Sequence, residues 1–493
     1  MIDARWWLAC LVVWPVMVAG LSMLPIGVER LRQAAVAGAI ATLLVSLGVF
    51  VVPGLGAFEI SAPSLSRALG GALFRVDALS SALLPFAASL WLLTVAVSPR
   101  AALDRRGLRR TALATLVTLG CFLTESPIVL LVLWISSVGT FWAALSEPAH
   151  QHQRRIVAVY LGASSVLFGG GAVLLAWPAA QGTTLEVVGV WLVVIAALVR
   201  KGIFPFHAWV PEVFDRGRLG PAILFSAPQL GAYVTAVLIV PRASPELLRL
   251  IAVLALGTAV YGAALALVQT SARRACGYLF MSQSALVMAG LDCTSNRALA
   301  GGLLLWLSAG IAFAGLARCV LVLEARRGRL DLSVYHGGYE RTPVLAASFL
   351  VMGLACTGFP GTLGFVGQEL LVDGAVDVFP VLGFAVVVAA ALTGLAVLRM
   401  YFALFCGRPS ADGQGDVRIG LIHREAWTFA SVVLVLVGTG IVPAPIVDSR
   451  FLASDEILLR RRTSATREAP GAPGAGIPAP QASVAWRSIS ASR

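Results

Sequence analysis

Few residues in this sequence can hold or pass a proton, and most of them sit inside long apolar stretches. Arg200 and Lys201 stand side by side near the end of one such stretch, and His207 follows a turn or two later. Lys201 is the only lysine in the chain. A second stretch carries Gln368 and Glu369, and Gln229 and Gln283 lie in two more. A charge inside a bilayer costs several kcal/mol, so such residues tend to mark ion or proton pathways. Each also has a plainer reading. Arg200 and Lys201 end a span and snorkel to the interface. His207 is a neutral structural histidine, Glu369 closes its helix, and Gln229 bridges two helices. Both readings stand on sequence alone. Arginine almost never gives up its proton. If a carrier exists here, Lys201 is the better candidate, with Glu369 as a distant acidic partner. The alternative is that helical geometry turns Lys201 about 100° away from the axis, where it only anchors the span.

The elements that must position these residues follow from composition. Of 493 residues, 58% are hydrophobic and only 13% charged, and the mean hydropathy is +0.87. A soluble enzyme, a disordered chain and a disulfide-rich secreted module are all excluded. The apolar runs approach twenty residues without alternating, which excludes a β-barrel. The fold class is therefore an all-α polytopic membrane protein. The net charge of +12 is explained by arginine in loops and needs no nucleic acid partner. The seven cysteines form no CxxC pair, so no metal or iron–sulfur site is expected. No phosphate-binding loop appears either. The expectation is no cofactor.

Fourteen candidate spans run from 4–26 to 424–446. The split between 109–124 and 126–146 rests only on Glu125-Ser126-Pro127. Asp77 and Glu125 read as boundary residues. Loops after odd-numbered spans carry 20 arginines, against 5 after even-numbered ones. That places the odd loops in the cytoplasm and both termini outside. Arg460 to Arg462 argue weakly the other way. The seventh span is interrupted at Pro205 and the twelfth at Pro360. Proline removes a backbone donor, and backbone freed at membrane depth is tolerated only against protein or water. Both breaks are expected near the midplane, facing protein. They lie five spans apart, the pattern of two inverted five-helix repeats, each with a broken helix. Two independent kinks are the alternative. The expected division is N-terminal transmembrane helices over 1–108, a first repeat unit over 109–241 and a second over 242–408. A C-terminal helix over 409–462 and a disordered tail over 463–493 complete it.

Several segments resemble the antiporter-like membrane subunits of respiratory complex I. They are Phe204-Pro-Phe-His-Ala-Trp-Val-Pro-Glu with Pro221 and Gly231-Ala-Tyr, the stretch from Val268 to Gln283, and Gly358-Phe-Pro-Gly-Thr-Leu-Gly-Phe-Val-Gly. Arg399-Met-Tyr-Phe-Ala-Leu-Phe-Cys-Gly and His423-Arg-Glu-Ala-Trp look most like subunit M of NADH-quinone oxidoreductase. The resemblance implies proton translocation and no redox cofactor in this chain. It implies other membrane subunits as partners, quinone only through them, and the inner membrane of a bacterial cell. Titratable residues of the family map onto Ile135, Arg200, Gln229, Ala309 and Gln368. Only Arg200 there carries a charge, with Lys201 and Glu369 each one step away. The proton-pathway candidates are thus Arg200, Lys201, His207, Gln229, Gln368 and Glu369. A second reading follows from the lost charges: a non-conducting paralogue, the membrane partner in a cation/proton or inorganic-carbon transport complex.

Overall fold

The computed structural model describes residues 4–51, 58–60, 69–99, 103–378, 380–407 and 421–468. The protein is an all-α multi-pass membrane fold. It opens with α1 (Ala4–Leu21) and α2 (Val28–Val51). A two-stranded antiparallel ribbon follows, β1 (Phe58–Ile60) against β2 (Phe74–Val76), with Phe58 opposite Val76. Asp77 then caps α3 (Ala78–Val97) by accepting from the Ser80 amide at 2.8 Å. The narrow split holds: α4 (Arg105–Phe122) and α5 (Pro127–Ala144) are separate helices. Ser126 caps α5 and Pro127 occupies its first turn, where a missing N–H costs nothing. Then come α6 (Gln151–Ala176) and α7 (Thr184–Lys201).

The chain breaks where Pro205 suggested. Gly202 ends α7 with a left-handed φ of 68°, a conformation glycine adopts without a Cβ clash. The short α8 (Trp209–Arg216) and α9 (Leu219–Ser226) follow. A break that sequence did not foresee comes next. Gln229 has φ 52°, and α10 (Leu230–Val234) runs on through a π turn to Ile239. The eighth span is therefore in two pieces. The second half holds α11 (Pro245–Val268), α12 (Ala272–Asp292) and α13 (Asn296–Arg327). The twelfth span divides as expected into α14 (Pro343–Cys356) and α15 (Leu363–Val378). The turn between them uses left-handed Gly358 and Gly361. Last are α16 (Pro380–Phe405), α17 (His423–Ile441) and α18 (Ala444–Glu468).

Among the described residues, nine helices are long and apolar enough to cross a membrane. Of the other five expected spans, the first is met by a shorter apolar helix, Trp6–Leu21, and four fail that measure for physical reasons. Arginines open α4, charged residues fall at both ends of α7 and α12, and the twelfth span is divided. The long α13 is the hub, with 94% of its apolar window buried. It packs on α3, α12, α14, α15 and α18. Trp306 on it donates to the Pro228 carbonyl at 3.1 Å, satisfying one acceptor released by the eighth-span break.

Two expectations need correction. First, the breaks do not face this chain's interior. Phe204 is 50% exposed and Phe359 51%, and Pro205 and Pro360 beside them are exposed too. Second, helix runs past the last expected span, 424–446, and into the tail expected to be disordered over 463–493. Residues 463–468 finish α18, and 469–493 lie outside the described residues. Arginines bind α18 to the loops. Arg450 donates to the Ala78 carbonyl at 2.6 Å, and Arg461 to those of Val240 and Ala243 at 2.7 and 2.8 Å. Arg460 reaches Asp77 at 2.8 Å and Glu125 at 2.7 Å.

Candidate functional site

The last turn of α7 carries two buried cations that point to different surroundings. Arg200 Nη2 donates to Ser137 Oγ on α5 at 2.7 Å. Its guanidinium lies 4.2 Å from the Trp134 ring and 4.5 Å from that of Phe225. Lys201 Nζ donates to Gln229 Oε1 at 2.9 Å. The unforeseen break makes that bond: the left-handed backbone at Gln229, a conformation that costs about 1 kcal/mol or more, stands where its amide meets Lys201. Gly231 completes the fit. A Cβ there would come within 2.7 Å of Lys201 Cγ.

A buried acid that the sequence did not single out, Asp292, ends α12. It is 1% exposed, neither carboxylate oxygen has a hydrogen-bond partner, and its charge acts on Lys201. Sequence reading ended the tenth span at 291 and so missed it. The available signal was an aspartate directly following an apolar helix, before the Cys293-Thr294-Ser295 turn. Arg318 was missed as well. It is fully buried on α13 and donates to Thr94 Oγ1 at 2.7 Å and Ser98 Oγ at 3.3 Å.

The remaining candidates lie apart from Lys201. His207 is half-buried in the seventh-span break, its ring 5.7 Å from Phe204 and 5.3 Å from Tyr261. Gln368 faces the twelfth-span break, where a Cβ on Gly358 would strike its Oε1. Glu369, one residue on, is on the exposed face of α15. Ile135 is half exposed and Ala309 buried. Trp134 and Ser137, on either side of Ile135, are the α5 residues that meet Arg200. The structure thus brings together Arg200, Lys201 and Gln229, adds Asp292, and leaves His207, Gln368 and Glu369 elsewhere.

On the side of the arginine-rich loops, a cavity of about 330 Å³ reaches inward to Arg200 between α3, α4, α5 and α9. On the other side of the pair lie Gln229 and Asp292. Chemically, Lys201 and Asp292 can exchange protons; Gln229 can only relay a hydrogen bond, and Arg200 supplies a fixed charge.

Residues 156–393 match the family described as NADH:quinone oxidoreductase/Mrp antiporter, TM. NADH-quinone oxidoreductase subunit M of Mycobacterium tuberculosis is 27% identical over 259 residues, covering 51% of this chain and 46% of that protein. The chain spans about half the length of the curated relatives it matches. Two solved structures share the fold. One is a chain of respiratory complex I from Thermus thermophilus with bound NADH, with TM-score 0.80 and 21% identity, covering 92% of this chain and 99% of that one. The other is a chain of the Mrp complex from Dietzia sp. DQ12-45-1b, with TM-score 0.79 and 18% identity, covering 95% and 99%.

Proposed function

From the match of residues 156–393 to the NADH:quinone oxidoreductase/Mrp antiporter transmembrane family, we infer that this chain is a proton-translocating, antiporter-like membrane subunit of a complex-I-type assembly. Its bacterial relatives carry names of that complex, and the reading extends those names to this chain. It sits in the bacterial inner membrane with both termini outside. Protons move through it in response to quinone reduction in partner subunits, and it holds no redox cofactor itself. The observation that carries the reading is Lys201. It is buried at a helix break and hydrogen-bonded to Gln229, and the charge of the unpartnered Asp292 carboxylate acts on it without a direct bond. A lysine there alternates between two protonation states while Arg200 stays charged. Asp292 takes the acidic role that the sequence offered to Glu369.

The test is Lys201→Met and Lys201→Arg in vesicles holding the whole complex, with proton movement as the readout. Both variants are expected to assemble and to lose proton movement. Wild-type rates in both remove Lys201 from the pathway.

A second reading, a non-conducting membrane partner in a cation/proton or inorganic-carbon transport complex, is favoured by neutral Gln229, Ala309 and Gln368. It expects wild-type behaviour from both Lys201 variants and loss of partner function on removing the chain.

A further inference from the structure

The cavity above Arg200 is lined by cations and by no carboxylate. Arg110, Arg200, Arg218, Arg273, Arg329 and His150 contribute to its wall, and among the described residues no Asp or Glu does. Three of these arginines spend their charge behind the wall: Arg218 on Glu147, Arg273 on Glu324 and Arg329 on Asp215. Arg200 has no such partner. It is 5% exposed, its Nη1 has no hydrogen-bond partner, and no carboxylate among the described residues lies within ion-pair distance of it. Arg110, nearer the loops, bonds only the Ser146 hydroxyl at 3.2 Å.

A buried guanidinium without a counter-charge is unfavourable unless something compensates it. Two aromatic faces and one hydroxyl offset part of that, leaving Nη1 at the edge of the fork without a partner. The aromatic rings at 4.2 and 4.5 Å occupy positions over the guanidinium, so a ligand approaches in its plane. Edge-on, a guanidinium matches two coplanar oxygens better than a spherical ion. The hydroxyls of Ser137 and Thr140 also line the wall, but each gives its one proton to a backbone carbonyl, of Trp134 and of Ser137, so the charge of Arg200 is what meets an oxyanion. A volume of about 330 Å³ holds such an ion with some water. We propose that this cavity binds a small planar oxyanion of the carboxylate class at Arg200. The site is distinct from the Lys201–Gln229 side of the pair and does not depend on proton conduction.

The full chain in phosphatidylcholine nanodiscs, free of anionic lipid and of partner subunits, is titrated with radiolabelled formate by equilibrium dialysis. Saturable binding near one formate per chain is expected, competed by nitrate and at least tenfold less well by chloride. Arg200→Gln is expected to weaken it at least tenfold while eluting as intact protein. Arg154→Gln, which removes a cation stacked on Trp142 outside the cavity, should leave it unchanged. No saturable formate binding by the wild type, equal affinity in Arg200→Gln, or equal competition by chloride overturns the proposal. Should Arg200→Gln not fold, Arg110→Gln is expected to weaken binding at least threefold, and an unchanged affinity overturns the proposal equally.

Discussion

At the scale of residues, neighbouring positions on one helix turn serve different surroundings. Arg200 turns to Ser137 and two aromatic rings, Lys201 to Gln229. That divergence is the roughly 100° step of an α-helix applied to consecutive side chains. The step carries Lys201 to the buried amide of Gln229. Gly231 is part of the same fit. Gly231→Ala places a methyl 2.7 Å from Lys201 Cγ, and overpacking of this kind costs about 1–3 kcal/mol. The expected outcome is a lower unfolding temperature together with reduced proton movement in vesicles. An unchanged temperature with normal proton movement would mean that Lys201 has room to move aside.

At the scale of elements, α18 depends on its arginines. Arg460 bridges Asp77, which caps α3, and Glu125, in the α4–α5 turn. Burial is the largest influence on Glu125 and raises its pKa above the ordinary carboxylate range, while Arg460 and Arg75 pull it down. A carboxyl with a raised folded-state pKa favours folding below its ordinary value. That contribution is lost as pH rises through the raised value. Arg460→Ala removes the strongest opposing cation, so its destabilisation should be larger at pH 8 than at pH 5. Rates of trypsin cleavage within α18 at the two pH values report this directly. Equal rates for variant and wild type at pH 8 would show that α18 is held by its other contacts.

At the scale of the whole molecule, both helix breaks open onto the outer surface, at Phe204–Pro205 and at Phe359–Pro360. Irregular backbone at membrane depth is tolerated only where protein or water covers it. These two faces are therefore where neighbouring membrane subunits are expected. Phe204→Cys and Phe359→Cys should be labelled quickly by a membrane-permeant maleimide in the isolated chain and at least several-fold more slowly in the assembled complex. Equal labelling in both states would place lipid, not protein, against the breaks.

Much of this was legible in sequence, because it depends on short-range chemistry. Apolar runs near twenty residues set an all-α membrane fold. Pro205, Gly202, Pro360 and the glycines around it set where two helices break, since φ restrictions act on the residue itself. The rest was decided by contacts between residues far apart in the chain. Pro228 signals a break beside Gln229, but only the fold shows that Gln229 takes a left-handed φ and that its amide accepts from Lys201, 28 positions earlier. Asp292 looks like a loop residue, yet it closes α12 and is buried by the surrounding helices. Glu369 looks like the better acid until α15 turns it outward. Arg460 to Arg462 look like tail charges, although Arg460 and Arg461 clamp α18 to the loops. Which side of a helix faces a cavity, a partner or lipid is set by packing around α13, and no local pattern in this uniformly apolar chain encodes it.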